Sequence, residues 1–140
     1  MAKTSRDIFA TAAVVKNKKV FLFHRLNYDV WEFPCGNIEF GEHPSETAGR
    51  EVKEETGLDV KVEKLLAIGS IVRPDKIHEI TFCYLCRLVK ENAEAVIGDE
   101  DHDKFKWVTL GEIKKIKNLA CSVQAVLKEV EEIEKYLKNG

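Results

Sequence analysis

The chain has 140 residues, 44% of them hydrophobic and 33% charged, with a formal net charge of −2. That length fits one domain with a substantial core, and the near-neutral charge gives no electrostatic footprint for a nucleic-acid polymer. No apolar run approaches a membrane span, and the opening Met1-Ala2-Lys3-Thr4-Ser5-Arg6 lacks the apolar core of a secretion signal, so a cytoplasmic location is expected.

In chain order, Ile8 to Val15 and Val20 to Arg25 are β-branched and aromatic runs separated by Lys16-Asn17-Lys18-Lys19. They predict a hairpin. Trp31 to Phe33 reads as a short strand and Ile38 to Phe40 as another. The stretch Gly36 to Leu58 reads as a loop running into a helix. Pro44 suits the first helical turn, where its missing N–H has no partner to lose, and Gly57 suits a left-handed stop. Ala48 and Val52, one turn apart, form the stripe that holds this helix on a core.

Val60 to Val72 predicts one or two strands, broken by the turn chemistry of Arg73-Pro74-Asp75-Lys76. His78 to Val89 is the longest strand candidate, with Ile80, Phe82, Tyr84 and Leu85 expected inside. Lys90 to Asp103 is a polar loop that turns acidic at Asp99-Glu100-Asp101, and Lys104 to Thr109 resumes as a strand. Thr109 and Glu112 have capping-box spacing for a short helix through Ile116. From Ser122 to Leu137, a stripe of Ala125, Val126, Val130, Ile133 and Leu137 predicts one amphipathic helix. Strands first, one helix midway and one at the end imply an α/β sandwich, a sheet covered on both faces within one domain spanning 1–140.

Cys83 and Cys86 have the spacing of a zinc pair. They lie in an alternating run, however, and residues three apart on a strand face opposite sides of the sheet. No second pair completes four ligands, so buried thiols are the expectation.

The chemistry concentrates on the predicted helix. At about 100° per residue, Glu51, Glu54 and Glu55 share one face. Like charges at this spacing oppose helix formation by about 0.2–0.5 kcal/mol per pair, which suggests a cation that offsets them. An all-oxygen set points to a hard ion, Mg²⁺ or Mn²⁺, that bridges carboxylates to substrate phosphates. The alternative is a solvated acidic face with Arg50 and Lys53 as counter-charges.

Spacing decides between them. Gly36, five residues, Glu42, seven residues, then Arg50-Glu51-Val52-Lys53-Glu54-Glu55-Thr56-Gly57-Leu58 resembles the complete signature of the Nudix hydrolases. Trp31-Glu32-Phe33-Pro34 ahead of it is similar to the mutator-type (MutT-like) branch, although Cys35 stands where that branch has a second glycine. The resemblance implies a Nudix-type α/β/α sandwich with a mixed β-sheet between helices. It also implies hydrolysis of a diphosphate that links a nucleoside to another group, so the partner is a small nucleotide.

Carried over by position, Glu54 and Glu55 match the principal metal ligands, and Glu51 matches a glutamate that binds metal or accepts the water's proton. The carbonyl of Gly36 matches a backbone ligand, Arg50 the residue that orients the glutamates, and Glu42 a supporting acid. Asp101, six residues before Trp107, best fits a further loop acid, with Glu100, Asp103 and plain loop solubility as rivals. His102 reads as an incidental surface histidine or a water-polarising base.

For substrate, Arg25 is a phosphate candidate, and Trp31, Phe33, Phe9 and Tyr84 are stacking or core residues. Ser122 stands near where the branch places an asparagine that reads oxidised guanine, with Asn118 displaced from it. The lead-in from Trp31 to Pro34 favours a nucleoside or deoxynucleoside triphosphate. Pro74, sixteen residues after Leu58, is the mark of an alternative, ADP-ribose or another nucleotide-sugar or dinucleotide. A non-catalytic nucleotide-binding module is the third reading, opposed by the intact box glutamates. Assembly is expected to be monomer or homodimer.

Overall fold

The structure, a computed structural model, describes residues 5–137. A mixed seven-stranded sheet lies between helices, as expected. Its strands are β1 (Arg6–Lys16), β2 (Lys19–Arg25), β3 (Val30–Glu32), β4 (Cys35–Asn37), β5 (Val60–Val72), β6 (His78–Leu88) and β7 (His102–Val108). The main path runs β3-β2-β1-β6-β5, with β7 on β2 and β4 on β1. β1 and β6 are parallel, from Arg6↔His78 to Val15↔Arg87; the other pairings are antiparallel.

With one edge of β1 given to β6, its other edge is shared. Val15 and Lys16 pair with β2, and Phe9, Ala10 and Thr11 pair with Asn37, Gly36 and Cys35 of β4. The sheet therefore forks beside β4, and the Ala12 amide closes the gap by donating to the Pro34 carbonyl at 2.9 Å.

The alternation of the strands builds two cores. Ala10, Ala12, Val14, Phe21, Phe23, Tyr84 and Cys86 face Ala48 and Val52 of the helix α1 (Pro44–Thr56). Ala13, Val15, Val20, Leu22, Cys83 and Leu85 face the other way, toward Phe33, Ile113, Val123, Val126 and Ile133. Cys83 and Cys86 thus lie on opposite faces, both buried, with burial pushing the Cys86 thiol up to about 12 and Cys83 higher still. They are inert packing residues.

α1 begins and ends where its sequence says. His43 caps it with a capping box to Glu46, Pro44 opens it, and Gly57 ends it at φ 75°. The short helix α2 (Leu110–Ile113) carries the predicted Thr109–Glu112 capping box.

Several boundaries differ: β3 is Val30–Glu32 rather than Trp31–Phe33, and α2 ends at Ile113 rather than Ile116. The strand expected over Ile38–Phe40 is instead β4, Cys35–Asn37, because the pairing edge of β1 ends near Ile8 and the chain turns at Gly41, φ 81°. Phe40 is left fully exposed. β7 starts at His102, earlier than Lys104, because a register shift at His24/Arg25 lets Arg25 pair with His102.

The predicted closing helix is broken into α3 (Cys121–Gln124), α4 (Leu127–Glu131) and α5 (Ile133–Leu137). Its joints are tighter i→i+3 turns, Val126 to Val123 and Glu132 to Glu129, each 3.1 Å. Val126 and Ile133 are buried as predicted and Ala125 packs over Gly69; the side chains of Val130 and Leu137 lie outside the described residues. β5 is one strand with bulges after Val62 and Leu65, which is why its alternation reads ambiguously.

Candidate active site

The carboxylate face of α1 looks onto β4 at the fork in the sheet. Arg50 organises it. Its Nε and Nη2 donate to both oxygens of Glu42 at 2.7 and 3.0 Å, while Nη1 donates to Glu51 at 2.9 Å and Glu54 at 3.2 Å. Nη2 also reaches the Asn37 carbonyl at 3.3 Å, tying the helix to β4. Glu42 accepts from the Thr47 hydroxyl as well, and these bonds, Arg50's first, hold its carboxyl down to about 2. A bidentate arginine that also touches two further glutamates fixes all three in place.

Glu51 lies against Gly36 so closely that a Cβ there would sit 2.2 Å from its carboxylate. Only glycine admits that approach. Burial pushes Glu51 up, and Arg50 opposes the shift. Glu54 is exposed, with 57% of its side chain accessible. Glu55 is buried, and its Oε1 accepts the Cys35 amide at 3.1 Å. Burial, then the neighbouring Glu51, Asp99 and Glu32, push its carboxyl up to about 9. A carboxylate crowded in this way gains from a nearby cation.

A loop acid does join the helix. Ligand atoms of Glu55, Asp99 and His102 lie within 4.8 Å of one another. Asp99 arrives because its loop is strapped to the end of α1. Val96 N–H donates to Thr56 C=O at 2.9 Å, and Gly98 N–H donates to Glu55 C=O at 2.8 Å. A Cβ on Gly98 would meet the Glu54 carbonyl at 2.4 Å, so this crossing also requires glycine.

The predicted Asp101 stands elsewhere. Its side chain is two-thirds exposed and leans toward Arg25 at 3.9 Å, leaving Asp99 to occupy the position facing the helix. The signal for Asp99 was the glycine immediately before it.

His102 is buried, not on the surface. Its Nδ1 is 2.8 Å from Asp99 and its Nε2 2.8 Å from Glu32, whose Oε1 also accepts from Arg25 Nε at 2.7 Å. Burial opposes a charge on this ring, but the bonds to Glu32 and Asp99 prevail and raise its pKa. With each nitrogen facing a carboxylate, His102 has no lone pair free for an ion. It is a strut that aims Asp99. The oxygen donors of Glu51, Glu54, Glu55 and Asp99 fit a hard divalent cation such as Mg²⁺ or Mn²⁺.

A cleft of about 570 Å³ opens beside this cluster, over the sheet face that α3 covers. Arg25, Glu32, Cys35 and Gly36 line the end next to the carboxylates; Phe9, Tyr28, Pro74, Glu79 and Ser122 line the rest. Arg25 and Ser122 thus both line the cleft. Trp31 and Phe33 do not line the cleft. Phe33 is fully buried in the core, and Trp31 packs against His24 beneath the Lys106 ammonium, 3.9 Å from its ring centroid. Tyr84 is likewise core. Asn118 instead pins the chain to β3 and the residue before it, its backbone carbonyl accepting the Trp31 amide at 2.9 Å and its side-chain nitrogen donating to the Asp29 carbonyl at 2.8 Å. Cys35 projects into the cleft wall, and burial beside Glu32 and Glu55 holds its thiol well above the usual range.

The NUDIX domain family model matches residues 8–130. The chain belongs to the Nudix family. Among curated relatives, phosphatase NudJ of Shigella boydii is 31% identical over 96 residues, 69% of this chain and 62% of the relative. An octanoyltransferase of Myxococcus xanthus is 36% identical over 83 residues, 56% of this chain and 22% of the relative. The match thus spans less than two thirds of either relative's length.

Among solved structures, the MutT protein of Methanosarcina mazei superposes with a TM-score of 0.79 at 20% identity, covering 97% of this chain and 98% of that one. An ADP-ribose pyrophosphatase of Streptococcus suis gives 0.67 at 20% identity, covering 91% of each. At these identities the Nudix fold is shared, MutT-like members included.

Proposed function

We propose that the protein is a Mg²⁺- or Mn²⁺-dependent Nudix pyrophosphohydrolase that cleaves a nucleoside diphosphate linked to a further group. The observation that carries this reading is the carboxylate cluster of α1 beside a nucleotide-sized cleft: Arg50 holds Glu42, Glu51 and Glu54, Glu55 meets Asp99 and His102, and Gly36, against which Glu51 packs, lines the cleft. Glu54, Glu55 and Asp99, with the Gly36 carbonyl, would hold the cation, which when bound neutralises phosphoryl oxygens and lowers the pKa of water. Glu51, pressed against Gly36 and pushed up in pKa, is placed to take the attacking water's proton. Arg25, at the carboxylate end of the cleft, meets the phosphates.

The substrate is a nucleoside or deoxynucleoside triphosphate, cleaved to the monophosphate and pyrophosphate. The Trp31-to-Pro34 lead-in and the fold shared with MutT proteins support it. Pro74, which lines the cleft, favours ADP-ribose as the second reading. Comparing kcat/KM for triphosphates and ADP-ribose, with Mg²⁺ and with excess EDTA, tests both levels. Pyrophosphate release that stops with chelator is expected. Undiminished activity in EDTA removes the metal reading, and a tenfold preference for ADP-ribose, giving AMP and ribose 5-phosphate, removes the triphosphate.

A further inference from the structure

Glu79 stands apart from the carboxylates of α1. It lies on β6, between Asp7 of β1 and Ile71 of β5, beside the turn Arg73–Ile77 that ends the β5–β6 hairpin. Only 6% of it is exposed, yet it lines the cleft. Among the described residues, its Oε2 is the buried side-chain oxygen or nitrogen with no hydrogen-bond partner.

The nearby cation does not satisfy it. Arg73 spends Nε and Nη2 on Asp75 at 3.1 and 2.8 Å, and Nη1 lies 3.5 Å from Asp7. A buried acceptor left without a donor is expensive, and a binding site is where such a vacancy has a use. The adjacent wall has the complementary surface. Phe9, two residues along β1 from Asp7, offers a ring to the cleft, and it pairs with Asn37 next to Gly36. A planar heterocycle stacked on Phe9 would point its glycosidic side toward the carboxylates of α1 and an edge toward Glu79.

We propose that Glu79 reads the nucleobase, its free carboxylate oxygen accepting a hydrogen bond from an exocyclic amino group, so that amine-bearing bases are selected over those carrying a carbonyl there. The inference rests on the cleft being a nucleotide site, as in the proposed function, and adds the chemistry of its far end. A site built to bond a substrate N–H rejects the analogue that lacks it, because its own buried group is then left unpaired. Glutamate accepting from a base amine is a known pairing in base recognition.

The test is equilibrium binding of nucleoside monophosphates to the intact protein, in the matched pairs AMP and IMP, GMP and IMP, CMP and UMP. In at least one pair the amine-bearing member is expected to bind at least about tenfold more tightly. In Glu79→Gln, which keeps the shape and supplies a donor that suits a carbonyl, that ratio is expected to shrink below about threefold or invert. Equal affinities within every wild-type pair overturn the proposal, and so does a folded Glu79→Gln variant that keeps the wild-type ratio. The wild-type comparison stands even if the variant fails to fold. Amine-selective binding without hydrolysis of any nucleotide would sink the enzyme reading alone; hydrolysis with amine-blind binding would sink only the role of Glu79.

Discussion

At the scale of single residues, the site depends on contacts that admit no extra atom and no lost charge. Glu54→Gln and Glu55→Gln are expected to lower kcat by at least about a hundredfold, about 2.7 kcal/mol of transition-state stabilisation, with the fold retained. Glutamine at position 55 still accepts the Cys35 amide, so circular dichroism should be unchanged. Near-native rates in both well-folded variants would refute the ligand assignment. These glutamates were legible because the whole motif from Gly36 to Leu58 resembles a known signature; charge at helical spacing alone left a solvated acidic face as at least an equal reading. Asp99 was not, because which of several acids in a polar loop faces the helix is set by hydrogen bonds to α1 that leave only Gly98 as a trace. Trp31 and Phe33 misled for a related reason. Side-chain chemistry shows that an aromatic can stack, but the face of the strand it occupies decides whether it meets ligand or core.

At the scale of elements, α1 and the loop 89–101 behave as one unit. Gly98 donates to the carbonyl of Glu55, the residue whose side chain faces Asp99. Gly98→Ala forces a Cβ against two helix carbonyls and should lift the loop away. The expected result is a rise of about tenfold or more in the Mg²⁺ concentration needed for half-maximal activity, with a loss of affinity near 1.4 kcal/mol. Unchanged metal dependence would show that the strap does not set the position of Asp99. The ends of α1 and α2 were readable from capping chemistry, which is local. The breaks between α3, α4 and α5 were not, because a continuous apolar stripe is compatible with both an unbroken helix and three short ones docked on the same core.

At the scale of the whole molecule, crowded acids make stability depend on pH and on metal. Glu55 is pushed from an ordinary 4.5 up to about 9, so the folded protein retains a proton that the unfolded chain releases. Its stabilising contribution is therefore complete below the ordinary value and is lost as pH climbs toward the raised one. His102, raised above 6.5, acts in the same direction; Glu42, held to about 2, matters only in acid. Metal-free protein is expected to melt at a lower temperature at about pH 8 than at about pH 5, and Mg²⁺ should restore much of the difference. A melting temperature that is flat with pH and indifferent to Mg²⁺ would contradict this.

The parallel pairing of β1 with β6 has a further consequence, for the order of events in folding. Thr11 and Thr81, whose hydroxyls meet across those strands, are 70 residues apart. On a ribosome adding about 5–20 residues per second, the apolar run Ala10 to Val15 waits several seconds for its partner strand. Until then α1, the helix that carries the clustered glutamates, has only part of its floor. High sequence separation slows closure, so this protein should fold more slowly than a helical bundle of its length, with the candidate site among the last parts to assemble.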